Sequence, residues 1–119
     1  MTFPEGLLFA FNSDQINPAA QVDLRRFAAS LQKYPSTRTL IVGHTDSEGS
    51  AEYNMDLSNR RALSAANFIT GEGIDRSRIS TAGRGEGEPI ATNTTDAGRQ
   101  LNRRVEVAIY ADAAARGGQ

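Results

Sequence analysis

The chain of 119 residues contains no cysteine, no tryptophan and a single histidine, and each absence narrows the chemistry open to it. Without cysteine there is no disulfide, no thiolate nucleophile and no cysteine-ligated zinc site. The only histidine, His44, has no second histidine with which to form a zinc site. No apolar run approaches the roughly 20 residues of a membrane-spanning helix. We therefore expect no metal and no cofactor.

An excess of charge of one sign is also missing. The sequence has 13 basic and 14 acidic residues and a formal net charge of −1 at pH 7, so no broad field attracts nucleic acid or acidic lipid. Its length and its hydrophobic fraction of 39% are typical of one globular domain. No signal peptide precedes Phe3, and we interpret the chain as a domain excised from a larger protein. We expect a single domain over 1–119, with an ordered core at about 5–110 and a flexible tail at 111–119.

Apolar spacing and turn residues predict the element order βαβαβ, then a long loop, then β. The predicted strands are Leu7–Phe11, Thr39–Val42, Arg78–Gly83 and Arg104–Tyr110; one helix begins at Pro18 and ends before Pro35, the other spans about Ala51–Thr70, and the loop spans Gly83–Gly98. Strands joined through a helix favour parallel neighbours with right-handed crossovers. In the last strand, Val105, Val107 and Ile109 alternate with other residues, which indicates one less covered sheet face. The pattern predicts an α/β (α+β) fold: a two-layer βαβαβ-β sandwich with a mixed sheet and both helices on one face.

Charged and polar residues gather at one predicted edge of this sheet. Asn12 follows the first strand and Asp46 follows the second, and the carboxyl ends of strands form the usual binding edge of an open α/β sheet. On the second helix, Asn54, Leu57 and Arg61 are three and four residues apart and share a face. Arg61 can hold a carboxylate bidentately, and Asp46 can accept from an ammonium group. The pattern favours a small zwitterionic ligand, although a weak ion pair between Asp46 and Arg61 remains the alternative.

Catalytic interpretations have less support. A Ser–His–Asp triad drawn from loop 44–47 would use sequence neighbours that point in different directions, without a nucleophile elbow. The segment Gly83–Gly87 lacks the Gly-Lys-Ser/Thr ending of a phosphate loop. Glu86 and Glu88 have no partner across a cleft for glycoside hydrolysis. We expect no enzyme, and we interpret His44 as a buried hydrogen-bonding residue.

Several motifs in order make the chain recognisable over Leu7–Ile109. They are Leu8–Ser13, Gly43–Asp46 with Gly49–Ser50, Tyr53–Asn54, Leu57–Ala62, Gly83–Glu86 with Pro89, and Asn93 through Gly98–Arg99 to Asn102–Glu106. Together they resemble the OmpA-like peptidoglycan-binding domain, the family of outer-membrane porin C-terminal domains, the peptidoglycan-associated lipoprotein and flagellar stator proteins.

The resemblance implies a noncovalent clasp on the diaminopimelate of an uncrosslinked peptidoglycan stem peptide. In that family, the aspartate that corresponds to Asp46 binds the ligand ammonium, and the arginine that corresponds to Arg61 binds its carboxylate. The position of Asn12 is often an aspartate in relatives, so this contact is expected to be weaker here. Arg103 and Arg104 match the closing motif, and one of them is expected to reach the ligand. The full set of expected ligand-binding residues is Asp46, Arg61, Asn54, Leu57, Asn12, Gly49, Ser50, Tyr53 and Arg104.

The resemblance also implies a place in the cell. We expect a periplasmic domain of an outer-membrane or other cell-envelope protein, which meets a membrane only through other parts of that protein. Its partner is peptidoglycan and not nucleic acid. The alternative, supported by Asn12, is a protein–protein interaction module on the same scaffold without wall binding.

Overall fold

The computed structural model describes residues 1–10 and 12–111, which form a mixed sheet covered by helices. The elements are β1 (Thr2–Pro4), α1 (Glu5–Leu8), α2 (Pro18–Gln32), β2 (Thr37–His44), α3 (Ala51–Gly71), a 3₁₀ turn (Arg76–Arg78), β3 (Ile79–Gly83), α4 (Asp96–Asn102) and β4 (Arg104–Ala111). The predicted α+β class is confirmed. Within the described residues, no helix combines the length and the apolar character needed to cross a membrane.

The sheet has the strand order β1-β4-β2-β3. β2 and β3 are parallel and are joined through α3, as predicted, with Gly43 opposite Gly83 at their carboxyl ends. β4 lies antiparallel to both β2 and β1. The register sets His44 and Pro4 on either side of Arg104, so three distant chain segments meet at one end of the sheet.

The hydrophobic core lies between α2, α3 and one face of the sheet. Its buried members are Leu8, Phe9, Ala20, Leu24, Phe27, Ala28, Leu31, Ile41, Ala62, Ala65, Ala66, Ile69, Ile74, Val105 and Val107. Ile109, predicted to share the buried face of β4, is instead 49% exposed, although its partner on β2, Thr39, is buried. The opposite face carries the half-buried Leu40 and Val42, in keeping with a two-layer arrangement.

A close approach of backbones fixes α3 against the end of β2. A Cβ atom added at Gly43 would lie 2.3 Å from the backbone oxygen of Ser58, so only a residue without a side chain fits there. The contact holds the loop that follows β2 beside the first turns of α3. It therefore positions Asp46 next to the helix that carries Arg61.

The prediction of a strand at Leu7–Phe11 is wrong for the described part of that segment. Residues Glu5–Leu8 form a helical turn, Phe9 makes an isolated bridge with Ile16, and Phe11 lies outside the described residues. A short apolar run fits a buried strand and a buried helical turn equally well. Leu8 and Phe9 are buried because they enter the core, and the first strand is instead Thr2–Pro4, ahead of the expected start of the ordered core.

The predicted loop Gly83–Gly98 contains the start of a helix that the sequence pattern does not show. α4 begins at Asp96, and the hydroxyl of Thr95 caps it by accepting from the N–H of Gly98 at 3.0 Å. Seven residues are too few for apolar periodicity to emerge. At the other end, β4 continues to Ala111, and residues 112–119 of the expected tail lie outside the described residues.

Candidate functional site

A cavity of about 240 Å³ opens at the carboxyl end of β2; we call it the Asp46 cavity. It is lined by Glu5, Asn12, Thr45, Asp46, Glu48, Gly49, Tyr53, Asn54, Leu57, Arg61 and Arg103. Most of the residues expected to bind ligand thus meet in one hollow, although they come from distant parts of the chain. Asn12 reaches it from a turn with a positive φ of 55°, a conformation that asparagine adopts more readily than most residues.

The loop after β2 holds Asp46 in place. Its Oδ1 accepts from the backbone N–H of Glu48 at 2.9 Å, and the hydroxyl of Thr45 donates to its backbone oxygen at 2.9 Å. The side-chain amide of Asn54 donates to the backbone oxygens of Asp46 and Glu48, at 3.3 and 2.7 Å. Asn54 therefore ties this loop to α3, and Asp46 is a buried carboxylate whose position is fixed before any ligand arrives.

Arg61 is held on the other side of the Asp46 cavity. It is a buried cation whose side chain is only 4% exposed. Its Nε donates to the backbone oxygen of Ser13 at 2.9 Å, and its Nη2 donates to Oε1 of Glu5 at 3.1 Å. The guanidinium carbon also lies 5.2 Å from the centre of the Phe9 ring, within range of a cation–π contact. These contacts orient the guanidinium plane, which favours bidentate recognition of a carboxylate.

Two further charges connect Asp46 to Arg61. Nη1 of Arg103 lies 2.5 Å from Oδ2 of Asp46, and Nε of Arg103 lies 3.1 Å from Oε2 of Glu5. Glu5 in turn pairs with Arg61 through its other oxygen. The sequence Asp46, Arg103, Glu5, Arg61 thus forms a row of alternating charges, which we call the charge row. Asp46 and Arg61 each pair with a member of this row rather than with one another.

Two residues of the expected set lie outside the lining of the Asp46 cavity. Ser50 caps α3, because its hydroxyl accepts from the N–H of Tyr53 at 3.1 Å. Arg104 is buried on the sheet face away from α2 and α3, where its guanidinium donates to Glu106 at 2.8 Å and to the backbone oxygen of Glu88 at 2.9 Å. The alternation of side chains along β4 sends Arg104 away from the site, and Arg103 reaches it instead.

His44 lies with Arg104 on that face and is buried, as predicted. Its Nε2 is 3.1 Å from Oε1 of Glu106. Burial and the positive charge of Arg104 lower the pKa of His44 below its ordinary value of 6.5, against the opposing effect of Glu106. The hydrogen bond from Arg104 in turn lowers the pKa of Glu106. The cluster lies at the end of β2 on the sheet face away from α2 and α3. The Nε2 atom of His44 is paired there with Glu106.

Glu5 is the site residue that sequence reasoning missed. It lies ahead of the recognised motifs and ahead of the predicted strand Leu7–Phe11. The backbone N–H of Glu5 donates to the backbone oxygen of Arg103 at 3.0 Å, so the pairing of β1 with β4 brings the two together. The available signal was Pro4 followed by an acidic residue, a pattern typical of a helix start.

Comparison with known proteins places the geometry in context. Residues 8–103 match the model of the OmpA family. The chain is 40% identical over 105 residues to outer membrane porin F of Pseudomonas fluorescens, covering 88% of this chain and 32% of that protein. It is 39% identical over 102 residues to the peptidoglycan-binding protein ArfA of Mycobacterium bovis, covering 84% of this chain and 31% of that protein. Among solved structures, the cell wall anchor of the T6SS from Pseudomonas aeruginosa matches with a TM-score of 0.84 at 34% identity, covering 93% of this chain and 80% of that chain. The chain thus spans about a third of the two curated relatives.

Proposed function

Because the chain belongs to the OmpA family, we propose that it anchors a larger envelope protein noncovalently to peptidoglycan from the periplasmic side. The names of two relatives, a peptidoglycan-binding protein and a cell wall anchor, support this role. The porin among its relatives supports a place in the outer envelope. The chain supplies the wall-binding domain, and the rest of the larger protein supplies any attachment to a membrane.

We further propose that the ligand is the free end of diaminopimelate in an uncrosslinked stem peptide. The observation that carries this proposal is the placement of a buried carboxylate and a buried guanidinium, Asp46 and Arg61, on one cavity of amino-acid size. The free end of diaminopimelate bears an ammonium and a carboxylate on the same carbon. Asp46 accepts from the ammonium, Arg61 donates to the carboxylate, and Leu57 gives the carbon chain an apolar surface.

The hydrogen-bond partners of the hydroxyl and imidazole groups just before Asp46 in the sequence favour a site that binds its ligand without a chemical reaction. The hydroxyl of Thr45 donates to a backbone oxygen, and the ring of His44 pairs with Glu106 on the opposite face of the sheet. Neither group is arranged as a nucleophile with its base. We therefore propose a binding module, with no bond made or broken in the ligand.

The expected affinity of one site is modest. Charge-assisted hydrogen bonds contribute about 1.5–3 kcal/mol each, and the loss of translational and rotational freedom on binding offsets part of this gain. A dissociation constant on the order of micromolar to millimolar follows for a single stem peptide. The wall presents many stem peptides to each anchored protein and its neighbours, so repeated weak contacts hold it in place.

A titration followed by NMR tests the proposal. The probe is the tripeptide L-Ala-γ-D-Glu-meso-diaminopimelate, and the matched comparison is the same tripeptide ending in lysine, which lacks the terminal carboxylate. We expect amide signals around Asp46 and Arg61 to shift with the first peptide and far less with the second. Asp46→Asn should weaken binding about tenfold or more, because a neutral amide replaces the acceptor of a charge-assisted bond.

Arg25→Gln, on the exposed surface of α2, serves as the control and should leave the affinity unchanged. Absence of any shift at millimolar diaminopimelate peptide would refute this ligand. If the domain were nevertheless retained on purified sacculi, it would bind the wall through a different chemical group. If it were not retained, the alternative of a protein–protein interaction module would be favoured.

A further inference from the structure

Arg103 already pairs with Asp46, the carboxylate that we propose as the partner of the ligand ammonium. Its Nη1 contacts Oδ2 of Asp46 at 2.5 Å, while Oδ1 of the same carboxylate accepts from the backbone N–H of Glu48. Both oxygens of Asp46 therefore already have donors. A ligand ammonium that binds this carboxylate must therefore share it with Arg103 or replace Arg103 there.

The two arginines of the charge row are held very differently. Arg61 is 4% exposed and is fixed by a backbone oxygen, by Glu5 and by the ring of Phe9. The side chain of Arg103 is 35% exposed, and its polar partners are two carboxylates. Because the side chain of Arg103 is more exposed than that of Arg61 and, among the described residues, makes no such bond to a backbone oxygen or contact with a ring, it is the less constrained arginine of the row.

Glu5 offers Arg103 an alternative hydrogen-bond acceptor. Its Oε2 is buried and lacks a hydrogen bond, although Nε of Arg103 lies 3.1 Å away. The pair is close enough to attract but is not aligned for donation while Nη1 is engaged with Asp46. If the guanidinium released Asp46, it could turn its fork fully toward Glu5 and satisfy that oxygen.

We propose that Arg103 is an internal competitor for Asp46: its guanidinium pairs with the carboxylate that would otherwise bind a ligand ammonium, and it turns fully toward Glu5 when such an ammonium arrives. This inference rests on the proposed function of the Asp46 cavity. Binding then replaces the ion pair of Arg103 with Asp46 by one between the ligand ammonium and Asp46, while the existing ion pair of Arg103 with Glu5 gains an aligned hydrogen bond. A ligand with an ammonium but no carboxylate for Arg61 gains too little to displace Arg103, so the exchange selects for zwitterionic ends.

The test compares Arg103→Gln with the wild-type domain against two peptides. One is L-Ala-γ-D-Glu-meso-diaminopimelate; the other ends in 2-aminopimelate, which keeps the terminal carboxylate and lacks the ammonium. Removing the competitor should tighten binding of the first peptide about two- to fivefold, the range that corresponds to a partly exposed ion pair. It should leave the second unchanged or weaker. Arg25→Gln removes one positive charge elsewhere and should change neither affinity.

Weaker or equal binding of the diaminopimelate peptide by Arg103→Gln would overturn the inference, since Arg103 would then hold the ligand or play no part. A matching gain in Arg25→Gln would also overturn it, because net charge would be the cause. If the wild-type domain bound neither peptide, the proposed diaminopimelate ligand would be refuted, and this inference with it. If the wild-type domain bound the diaminopimelate peptide but Arg103→Gln bound it no more tightly, this inference would be refuted while the proposed ligand would stand.

A second measurement does not depend on the glutamine variant folding. The Nε–H signal of Arg103, assigned by its loss in Arg103→Lys, reports on its partner in the wild-type domain. The diaminopimelate peptide should slow the exchange of this proton with water, because Nε gains an aligned bond to Glu5. The 2-aminopimelate peptide should not. Equal protection with both peptides, or with neither, would contradict the transfer.

Discussion

Replacing Arg61 by lysine separates the charge of this residue from its geometry. The guanidinium donates through Nε to Ser13 and through Nη2 to Glu5, two groups that lie in different directions. A lysine ammonium keeps the positive charge but sits at a single point, so it can retain one of these partners at full strength. The change removes contacts without leaving the buried carboxylate of Glu5 wholly without a cation.

The magnitude follows from the contacts that are lost. A hydrogen bond to a buried charged acceptor contributes about 1.5–3 kcal/mol, and one to a backbone oxygen contributes about 0.5–1.5 kcal/mol. With one of the two recovered by lysine, we expect Arg61→Lys to lower the free energy of unfolding by about 2 kcal/mol. That corresponds to a fall in Tm of about 8 °C for a domain of this size. Binding of the diaminopimelate peptide should weaken about tenfold because the two-pronged contact to its carboxylate is lost.

The neighbouring residue supplies a matched control. Arg60 lies on the same helix, is 39% exposed and pairs with Asp56 and Asp14 at 2.7 and 3.1 Å. Because exposed ion pairs contribute little, Arg60→Lys should change the free energy of unfolding by less than about 0.5 kcal/mol and leave binding intact. Urea unfolding followed by circular dichroism measures both variants, since the chain has no tryptophan to report by fluorescence. Equal, small losses of stability in the two variants would refute the view that Arg61 is held by directional contacts.

Two further predictions concern the frame behind the site. Gly43→Ala should cost about 3 kcal/mol or more in urea unfolding, since its Cβ would overlap the backbone of Ser58, whereas Gly71→Ala in open space at the end of α3 should be neutral or slightly stabilising; similar effects would contradict the close packing. The second concerns pH: because burial lowers the pKa of His44 in the folded domain, the unfolded chain binds a proton more readily below about 6.5. The free energy of unfolding should therefore fall as pH drops from about 7.5 to 5.5, and His44→Gln should reduce that slope. An unchanged slope in the variant would show that His44 is not responsible.

The parts of the fold that the sequence predicted are those with strong local signals. Asn17 and Pro18 mark the start of α2, and β-branched residues and an apolar helical face mark β2 and α3. The start of the chain was harder, because Leu7 and Leu8 carry no periodicity and their helical turn depends on the pairing of β1 with β4. The pairing of strands about a hundred residues apart cannot be predicted from the local spacing of apolar residues.

The candidate site shows the same division. Asp46, Asn54 and Arg61 were placed by motif and helical spacing, and the structure brings them to one cavity. The choice between Arg103 and Arg104 could not be made from the sequence, since neighbouring residues at a strand start differ only in which face they take. The first residue of β4, Arg104, enters the buried cluster with Glu106, and that leaves Arg103 to complete the site.

The charge row also bears on how fast a ligand arrives. Two carboxylates and two guanidiniums alternate within a few ångströms, so their fields largely cancel at the distance from which the proposed ligand, a stem peptide, approaches. Long-range steering then contributes little to the encounter, and the association rate should remain near the level of unassisted diffusion and vary little with ionic strength. A domain with the proposed wall-binding role gains from this neutrality, because a site without a long-range field attracts few competing ions from solution.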